Sequence, residues 1–371
     1  MDKHGFLRSP PLIGRVGDPL EDIYAEYARV KKELHQAKIL GTGHGTLFWI
    51  RDKYLESDKF RSLAPKTQAD NRRRSRVLEQ KTRRNSKIVK LGQLHVSQLT
   101  TSALQRLLET RYQYWKNLDR KGEAEANHEH RLLSAMITWV RRRFSLKIDR
   151  NPCHGVELIK EQPVDRYVTD EEFHIQRDIA AKISPYLPVF FDIAYLDACR
   201  QSEVRDLNLE DITTDGLIIR RKKGSETNLV QWSDSLHAAV LGCLKWHEEI
   251  SQNRQHSVLP SKSLQLAEHL GQLTITIGEY EVPLGYRGPV VAQWLIPSPT
   301  GEKLSANTFN AAMQRLKHKM KSLGKEEIYW TAHDLKRKGH SEADDDHLTG
   351  HKSEVMRQRY RVKARKVKPV K

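Results

Sequence analysis

The sequence predicts a mainly α protein with a small β-sheet, an α+β chain built from two domains. At 371 residues it is longer than one hydrophobic core ordinarily organises. Apolar residues recur at helical spacing over most of its length, and β-type signals are confined to short stretches. Between about 149 and 168 the periodicity lapses into turn residues, Asp149-Arg-Asn-Pro-Cys-His-Gly155 and Glu161-Gln-Pro163, which divide the chain.

Residues 1–41 form an irregular arm with Pro10, Pro11 and Gly14, followed by a helix that Asp18-Pro19 introduces. Residues 42–150 make a helical domain, with segments from Leu47 to Leu55, Pro65 to Leu78, Thr101 to Trp115 and about Ala124 to Phe144. The last sets Leu132, Leu133, Met136, Ile137 and Val140 on one stripe, which is core spacing. Opposite the apolar stripes stand Arg72, Arg73, Arg74, Arg76, Lys81, Arg83, Arg84, Lys87, Lys90, Arg141, Arg142 and Arg143. That density suits contact with phosphates, and a solvated helix face is the plainer alternative. Residues 151–164 are expected to be a linker.

The second domain spans 165–371. Thr169-Asp-Glu-Glu172 has the form of a capping box, and helical character runs from there to Asp206. Leu217 to Trp232 is apolar at both ends around the polar turn Arg221-Lys222-Lys223-Gly224, the mark of a hairpin. Residues 233–250 return to helix, and 251–293 form a Pro- and Gly-punctuated insertion with a β-prone Leu273-Thr-Ile-Thr-Ile277. Ser305 can cap a helix whose Phe309, Met313, Leu316 and Met320 face the core. A basic tail follows Tyr360.

Lys and Arg outnumber Asp and Glu by 64 to 47, giving a formal charge of +17, which suits a polyanionic partner such as nucleic acid. Cys153, Cys199 and Cys243 are far apart and lack CxxC spacing, so neither a disulfide framework nor a thiolate zinc site is indicated. No apolar run approaches the ~20 residues that span a bilayer. The opening Met-Asp-Lys-His-Gly is unlike a signal peptide, so a soluble, cytoplasmic protein is expected.

Five short segments carry the chemistry: Cys199-Arg200-Gln-Ser-Glu203, the hairpin turn at 221–224, His333-Asp-Leu-Lys336, Leu348-Thr-Gly350-His351 and Met356-Arg-Gln-Arg-Tyr360. Breaking a phosphodiester without a metal requires a nucleophile, positive donors around the non-bridging oxygens and an acid for the leaving oxygen. A tyrosine can serve as nucleophile, because its aryl phosphate conserves the bond energy for rejoining. In this order the segments resemble the catalytic boxes of the tyrosine recombinase (phage integrase) family, with the nearest likeness to phage-type integrases.

The resemblance implies a helical core-binding (SAM-like) domain over 42–150, a tyrosine recombinase catalytic domain over 165–371, and a vestigial arm-binding segment at 1–41. It makes Tyr360 the nucleophile, with Arg200, Lys336 and His351 stabilising charge on the phosphate, Glu203 supporting the site and His333 assisting by hydrogen bond or proton transfer. A hairpin lysine would protonate the leaving 5′-oxygen. Strand alternation sends only one of Lys222 and Lys223 to the site; Lys222 is favoured and Lys223 is held in reserve. Arg337, about 100° round the helix from Lys336, is held in reserve.

Two features depart from the family pattern. Lys336 stands where arginine is commonest, offering a point charge in place of a planar fork. The eighteen-residue interval from His333 to His351 is shorter than usual, with the acidic run Asp344 to Asp346 able to cap the next helix.

No cofactor or metal is implied. The expected partners are double-stranded DNA, three further copies in a homotetramer assembled on DNA, and DNA-bending or directionality proteins, in a bacterial cell and associated with its nucleoid. A type IB topoisomerase-like or hairpin-resolving enzyme would use the same chemistry. A catalytically weakened DNA-binding protein would retain the boxes without the reaction.

Overall fold

A computed structural model describes residues 19–40, 43–84, 87–118, 122–146, 148–162, 166–222, 225–253, 261–343, 345, 347–350 and 353–360. The chain divides into two compact units, Met1–Pro163 and Val164–Lys371. No helix among the described residues is long and apolar enough to cross a membrane.

The first unit opens with α1 (Leu20–Leu40), which leaves Leu20, Tyr24 and Tyr27 exposed. Thr46 caps α2 (Leu47–Leu55) by accepting the Trp49 amide at 3.3 Å. The short α3 (Asp58–Arg61) and α4 (Pro65–Arg74) follow, then α5 (Thr101–Lys116) and α6 (Gly122–Arg141). The stripe expected on α6 is buried throughout and packs with Leu47, Ile50, Phe60 and Leu78 in one core.

Between α4 and α5, a stretch for which the sequence predicts no helical segment, the chain forms strands. Residues Lys81–Arg84 form β1 and Lys87–Lys90 form β2, an antiparallel hairpin pairing Lys81 with Lys90 and Arg84 with Lys87. Strands of four residues are too short to display a period, so the cross-strand ladder decides the conformation. The basic residues here stand on a hairpin, and the side chains of Arg83, Arg84 and Lys87 lie outside the described residues.

The stretch expected as a linker is laid onto α6 over much of its length. Asn151 donates to Ser134 O and Thr138 Oγ1, both at 2.9 Å, and Cys153 is buried. Asn127 grips Ile159 from both sides, donating to its carbonyl at 2.8 Å and accepting its amide at 3.0 Å. The side-chain amide of Asn127 on α6 thus satisfies part of this irregular backbone, as buried polar backbone requires. Such bonds leave no periodic trace in the sequence.

In the second unit α7 (Asp170–Ala181) begins at the capping box read from the sequence, with Thr169 and Glu172 bonded reciprocally. The apolar α8 (Tyr186–Leu196) is central: Phe190 lies 4.3 Å from Phe309 and Phe191 lies 4.6 Å from Trp330, centroid to centroid. The short α9 (Gln201–Val204) leads to the hairpin of β3 (Gly216–Ile219) and β4 (Asn228–Gln231). Then come α10 (Asp234–Asn253), α11 (Ser261–Gln272), and a further hairpin of β5 (Thr274–Ile277) and β6 (Tyr280–Pro283).

Leu270, Ile275 and Leu284 are fully buried, and the Thr276 amide donates to Thr214 O at 2.9 Å. The insertion is therefore part of the second core. The α12 helix (Ala306–Ser322) buries Phe309, Met313, Leu316 and Met320 as expected and is capped by Ser305. Last come α13 (Ala332–Glu342) and α14 (Glu354–Tyr360). Among the described residues the β content is thus three separate two-stranded ladders.

One close approach sets α13. A Cβ at Gly339 would stand 2.1 Å from Tyr195 O, so only glycine lets this helix reach the α8 backbone.

Candidate active site

At the end of α8 the chain reverses through Ala198, a non-glycine residue at φ 46°, and presents Arg200 at the start of α9. Arg200 and Glu203 do not meet across one face of a helix. Arg200 is the extended N-cap, its own amide donating to Glu203 Oε2 at 2.8 Å while its Nη1 donates to Oε1 at 2.6 Å. One buried carboxylate thereby fixes both the backbone and the guanidinium of Arg200. Burial pushes the Glu203 carboxyl up, but the Arg200 hydrogen bonds, with Lys336 and Arg221 nearby, outweigh it and hold the group below its ordinary value.

Arg221 was left without a role by the sequence, and its side chain is wholly buried. Its Nη1 donates to Ala198 O and Glu203 Oε2, both at 3.2 Å; its Nη2 donates to Asp197 O at 2.7 Å and Leu348 O at 2.5 Å. It joins the turn after α8, the Arg200 support and the loop preceding Gly350. Nothing in an Arg-Arg-Lys-Lys run distinguishes a buried member from solvated ones.

Strand alternation does not separate the two lysines, because β3 ends at Ile219 and Lys222 lies in the connecting loop. Lys222 is half-exposed, and its ammonium pairs with the Asp206 carboxylate, which also takes Lys303 Nζ at 2.6 Å. Partial burial and the Lys303 and Arg205 charges hold the Lys222 amine below its ordinary value. Lys223 and Gly224 lie outside the described residues.

On α13, His333 and Lys336 are one turn apart as expected, but their surroundings differ. His333 is exposed at the surface, whereas Lys336 is completely buried. Lys336 Nζ has no hydrogen-bond partner among the described residues and lies 5.4 Å from the centroid of the Tyr360 ring. Burial, opposed by Glu203 and reinforced by the Arg200 and Arg221 charges, brings its amine down to about 7. The Tyr360 ring meets His333 edge-on at 5.6 Å, with 71° between the planes. Desolvation against these neighbours, together with the Arg337, Lys336 and Arg200 charges, lowers the His333 imidazole below its ordinary value. Arg337 is half-buried next to Lys336.

The loop before α14 is docked on the β3–β4 hairpin. The Glu226 amide donates to Gly350 O at 2.9 Å and Asn228 Nδ2 donates to His347 O at 2.9 Å. Asp345 accepts the His347 amide at 2.8 Å, so this member of the acidic run caps a turn. His351, Asp344 and Asp346 lie outside the described residues.

In the first unit Arg73, Arg74 and Arg76 border one cleft with Arg111, Tyr114 and Trp115. Arg73 and Arg74 already face Glu125, at 3.3 and 3.8 Å, and Arg141 donates to Asp149 O at 2.8 Å. Arg72, Arg76, Arg142 and Arg143 are exposed, Arg72 lying over Phe60 and Arg143 over Trp139. The basic cluster is thus divided between solvent-facing and internally paired members.

The described site therefore combines a partly open guanidinium on a rigid carboxylate support, an imidazole and a phenol in ring contact, and a buried amine behind that phenol. The fold is similar to that of solved integrases. It is similar to the dimer of lambda integrase residues 75–356 bound to a COC′ core site, with a TM-score of 0.59 and 17% identity, over 88% of this chain and 99% of that one. It is likewise similar to the lambda integrase tetramer bound to a Holliday junction, with a TM-score of 0.60 and 15% identity, over 96% and 91%. The Tn1549 transposon integrase, residues 82–397 in complex with circular intermediate DNA, gives a TM-score of 0.58 and 14% identity, over 86% and 96%. No protein-family profile and no curated protein matches the sequence.

Proposed function

We propose that the protein is a site-specific DNA recombinase that cleaves and rejoins duplex DNA through a 3′-phosphotyrosyl bond to Tyr360. The observation that carries this reading is the Tyr360 ring lying against both His333 and Lys336, in a chain with an integrase fold. Tyr360 attacks the scissile phosphorus in line. Arg200, fixed by Glu203, donates to the non-bridging oxygens, and His333 contributes a further hydrogen bond. Lys222 leaves Asp206 and protonates the departing 5′-oxygen, and His351 completes the phosphate shell.

The 5′-hydroxyl of a second duplex then attacks the phosphotyrosyl bond, so exchange employs a homotetramer assembled on DNA. Insertion or excision of a phage or other mobile element in a bacterial cell is the corresponding biological outcome. Exposed Arg72, Arg76, Arg142 and Arg143 of the first unit would bind backbone phosphates in a core-binding role.

A pool of nicked duplexes with randomised cores tests this. Cleavage beside the nick releases a short 3′ fragment and traps the protein as an adduct that survives denaturing electrophoresis. Tyr360→Phe is expected to abolish the adduct and retain DNA binding. Unchanged adduct in that variant would overturn the nucleophile assignment, and sequencing the trapped ends gives the cleavage site and its polarity.

A further inference from the structure

We infer that Lys336 accepts the phenol proton of Tyr360 during strand cleavage, acting as a general base rather than as a fixed clamp on the phosphate. The inference rests on Tyr360 being the nucleophile, as proposed above. A cation that grips a phosphate arriving from solvent needs an open face. Lys336 has none: it is 0% exposed, with the Tyr360 ring 5.4 Å from its Nζ. Arg200, whose side chain is 16% exposed, does have access. Lys336 Nζ also lacks any hydrogen-bond partner among the described residues, so it has capacity for a new one.

The charged and titratable groups around this amine come from every element packed on it. Among the described residues they include the Glu203 carboxylate, the Arg200 and Arg221 guanidiniums, the Cys199 thiol, His333 one turn earlier on α13 and Tyr360 on α14. Burial in this setting brings the amine to about 7, so its neutral form is populated at neutral pH. An arginine in the same place would stay protonated and could not take a proton. The lysine that departs from the family pattern thus gains a role that the commoner residue could not fill.

In the step, the Tyr360 Oη–H proton passes to the neutral Nζ as the Oη–P bond forms. The P–O5′ bond breaks, and the leaving oxygen takes a proton from the Lys222 ammonium. Lys336 ends as an ammonium and Lys222 as an amine. Rejoining runs the transfers backwards and restores both.

The test measures adduct formation on the nicked duplexes from pH 5.5 to 9.5, for the wild type, Lys336→Arg and His333→Gln, with a normal and with a 5′-bridging sulfur at the scissile phosphate. Sulfur leaves without an acid, so it rescues a lost acid and not a lost base. The expected wild-type rate rises with pH and levels off above about 7. Lys336→Arg should be slower by about a hundredfold at neutral pH, lack that plateau and gain nothing from sulfur. His333→Gln should keep the plateau.

A Lys336→Arg enzyme with wild-type rate and profile, or one rescued by sulfur, would overturn the proton assignment alone. Loss of the plateau in His333→Gln with retention in Lys336→Arg would move the base to His333. A wild type that forms no adduct would overturn the recombinase reading itself. Independently of DNA, the Lys336 13Cε resonance, assigned by its loss in Lys336→Arg, should titrate near 7, and a midpoint above about 9.5 would sink the inference.

Discussion

His340 Nε2 donates to the main-chain carbonyl of Arg357 at 2.9 Å, binding the last turn of α14 to the same helix that carries His333 and Lys336. The acceptor is a carbonyl, so the imidazole carries its proton on Nε2. His340 is fully buried and sits two turns beyond His333, which makes α13 a ruler for the Tyr360 ring: one end presents the ring's neighbours and the other fixes the ring's own helix. Truncation to alanine is expected to lower adduct formation ten- to hundredfold while duplex affinity stays unchanged. His340→Gln, whose amide can donate to the same carbonyl, should recover most of the loss. Equal defects in the two variants would show that the bond does not position Tyr360.

Gly350 is required by its conformation and by its neighbours. Its φ is 65°, and an added Cβ would stand 2.6 Å from Glu226 O and 2.9 Å from Asn228 Oδ1. The left-handed backbone costs an L-residue about 1–2 kcal/mol, and a main-chain carbonyl cannot move aside cheaply. Gly350→Ala should therefore lower the melting temperature by several degrees and speed hydrogen exchange of the Glu226 amide, which donates to Gly350 O. Unchanged exchange at that amide would show that the loop tolerates the side chain without leaving the hairpin.

How much of this was legible in the sequence follows from which interactions leave a periodic or spaced trace. The α6 stripe, the Thr169–Glu172 capping box and the Ser305 cap with Phe309, Met313, Leu316 and Met320 were readable, since each expresses a local rule of spacing. The 81–90 hairpin was not, because four-residue strands carry too few positions to show alternation and their arginines and lysines suit a helix equally well. The five segments resembling recombinase catalytic boxes pointed to the fold that was found, yet the environment of their members was hidden. His333 and Lys336 differ by one helical turn in sequence and by complete burial in structure. Arg221 was hidden for the same reason, since its acceptors come from residues 197, 198, 199, 203 and 348 and meet only in the fold.

That convergence makes Arg221 a prediction of its own. Arg221→Met would leave the Glu203 carboxylate and several carbonyls buried with fewer donors, and breaking one side of a buried ion pair costs about 3–5 kcal/mol. Arg221→Lys should recover little, because a single ammonium cannot reach acceptors that the planar guanidinium spans. Urea unfolding of Arg221→Met, Glu203→Gln and the double variant should be non-additive, with the double variant less destabilised than the sum. Additive losses would mean that the two side chains stabilise the protein separately.

Two buried groups predict opposite pH dependences of stability. Lys336 has an ordinary value of 10.5 and about 7 in the folded protein. Below 7 both states are protonated and the buried ammonium disfavours folding in full. Between 7 and 10.5 the unfolded chain holds the extra proton, so stability rises with pH and the penalty fades. Lys336→Met should therefore stabilise the protein most at acidic pH, on the order of a few kcal/mol, with the gain vanishing towards pH 10.5. Asp197 runs the other way. Burial lifts its carboxyl from 3.8 to about 7 against the pull of Arg221, and neither oxygen has a hydrogen-bond partner among the described residues. Between 3.8 and 7 the folded state holds the extra proton, so stability falls as pH rises, and Asp197→Asn should stabilise most above 7 and have no effect near 3.8. Melting temperatures of both variants across pH 4 to 10 check the pair. Parallel curves would mean that neither group titrates in the window its burial dictates.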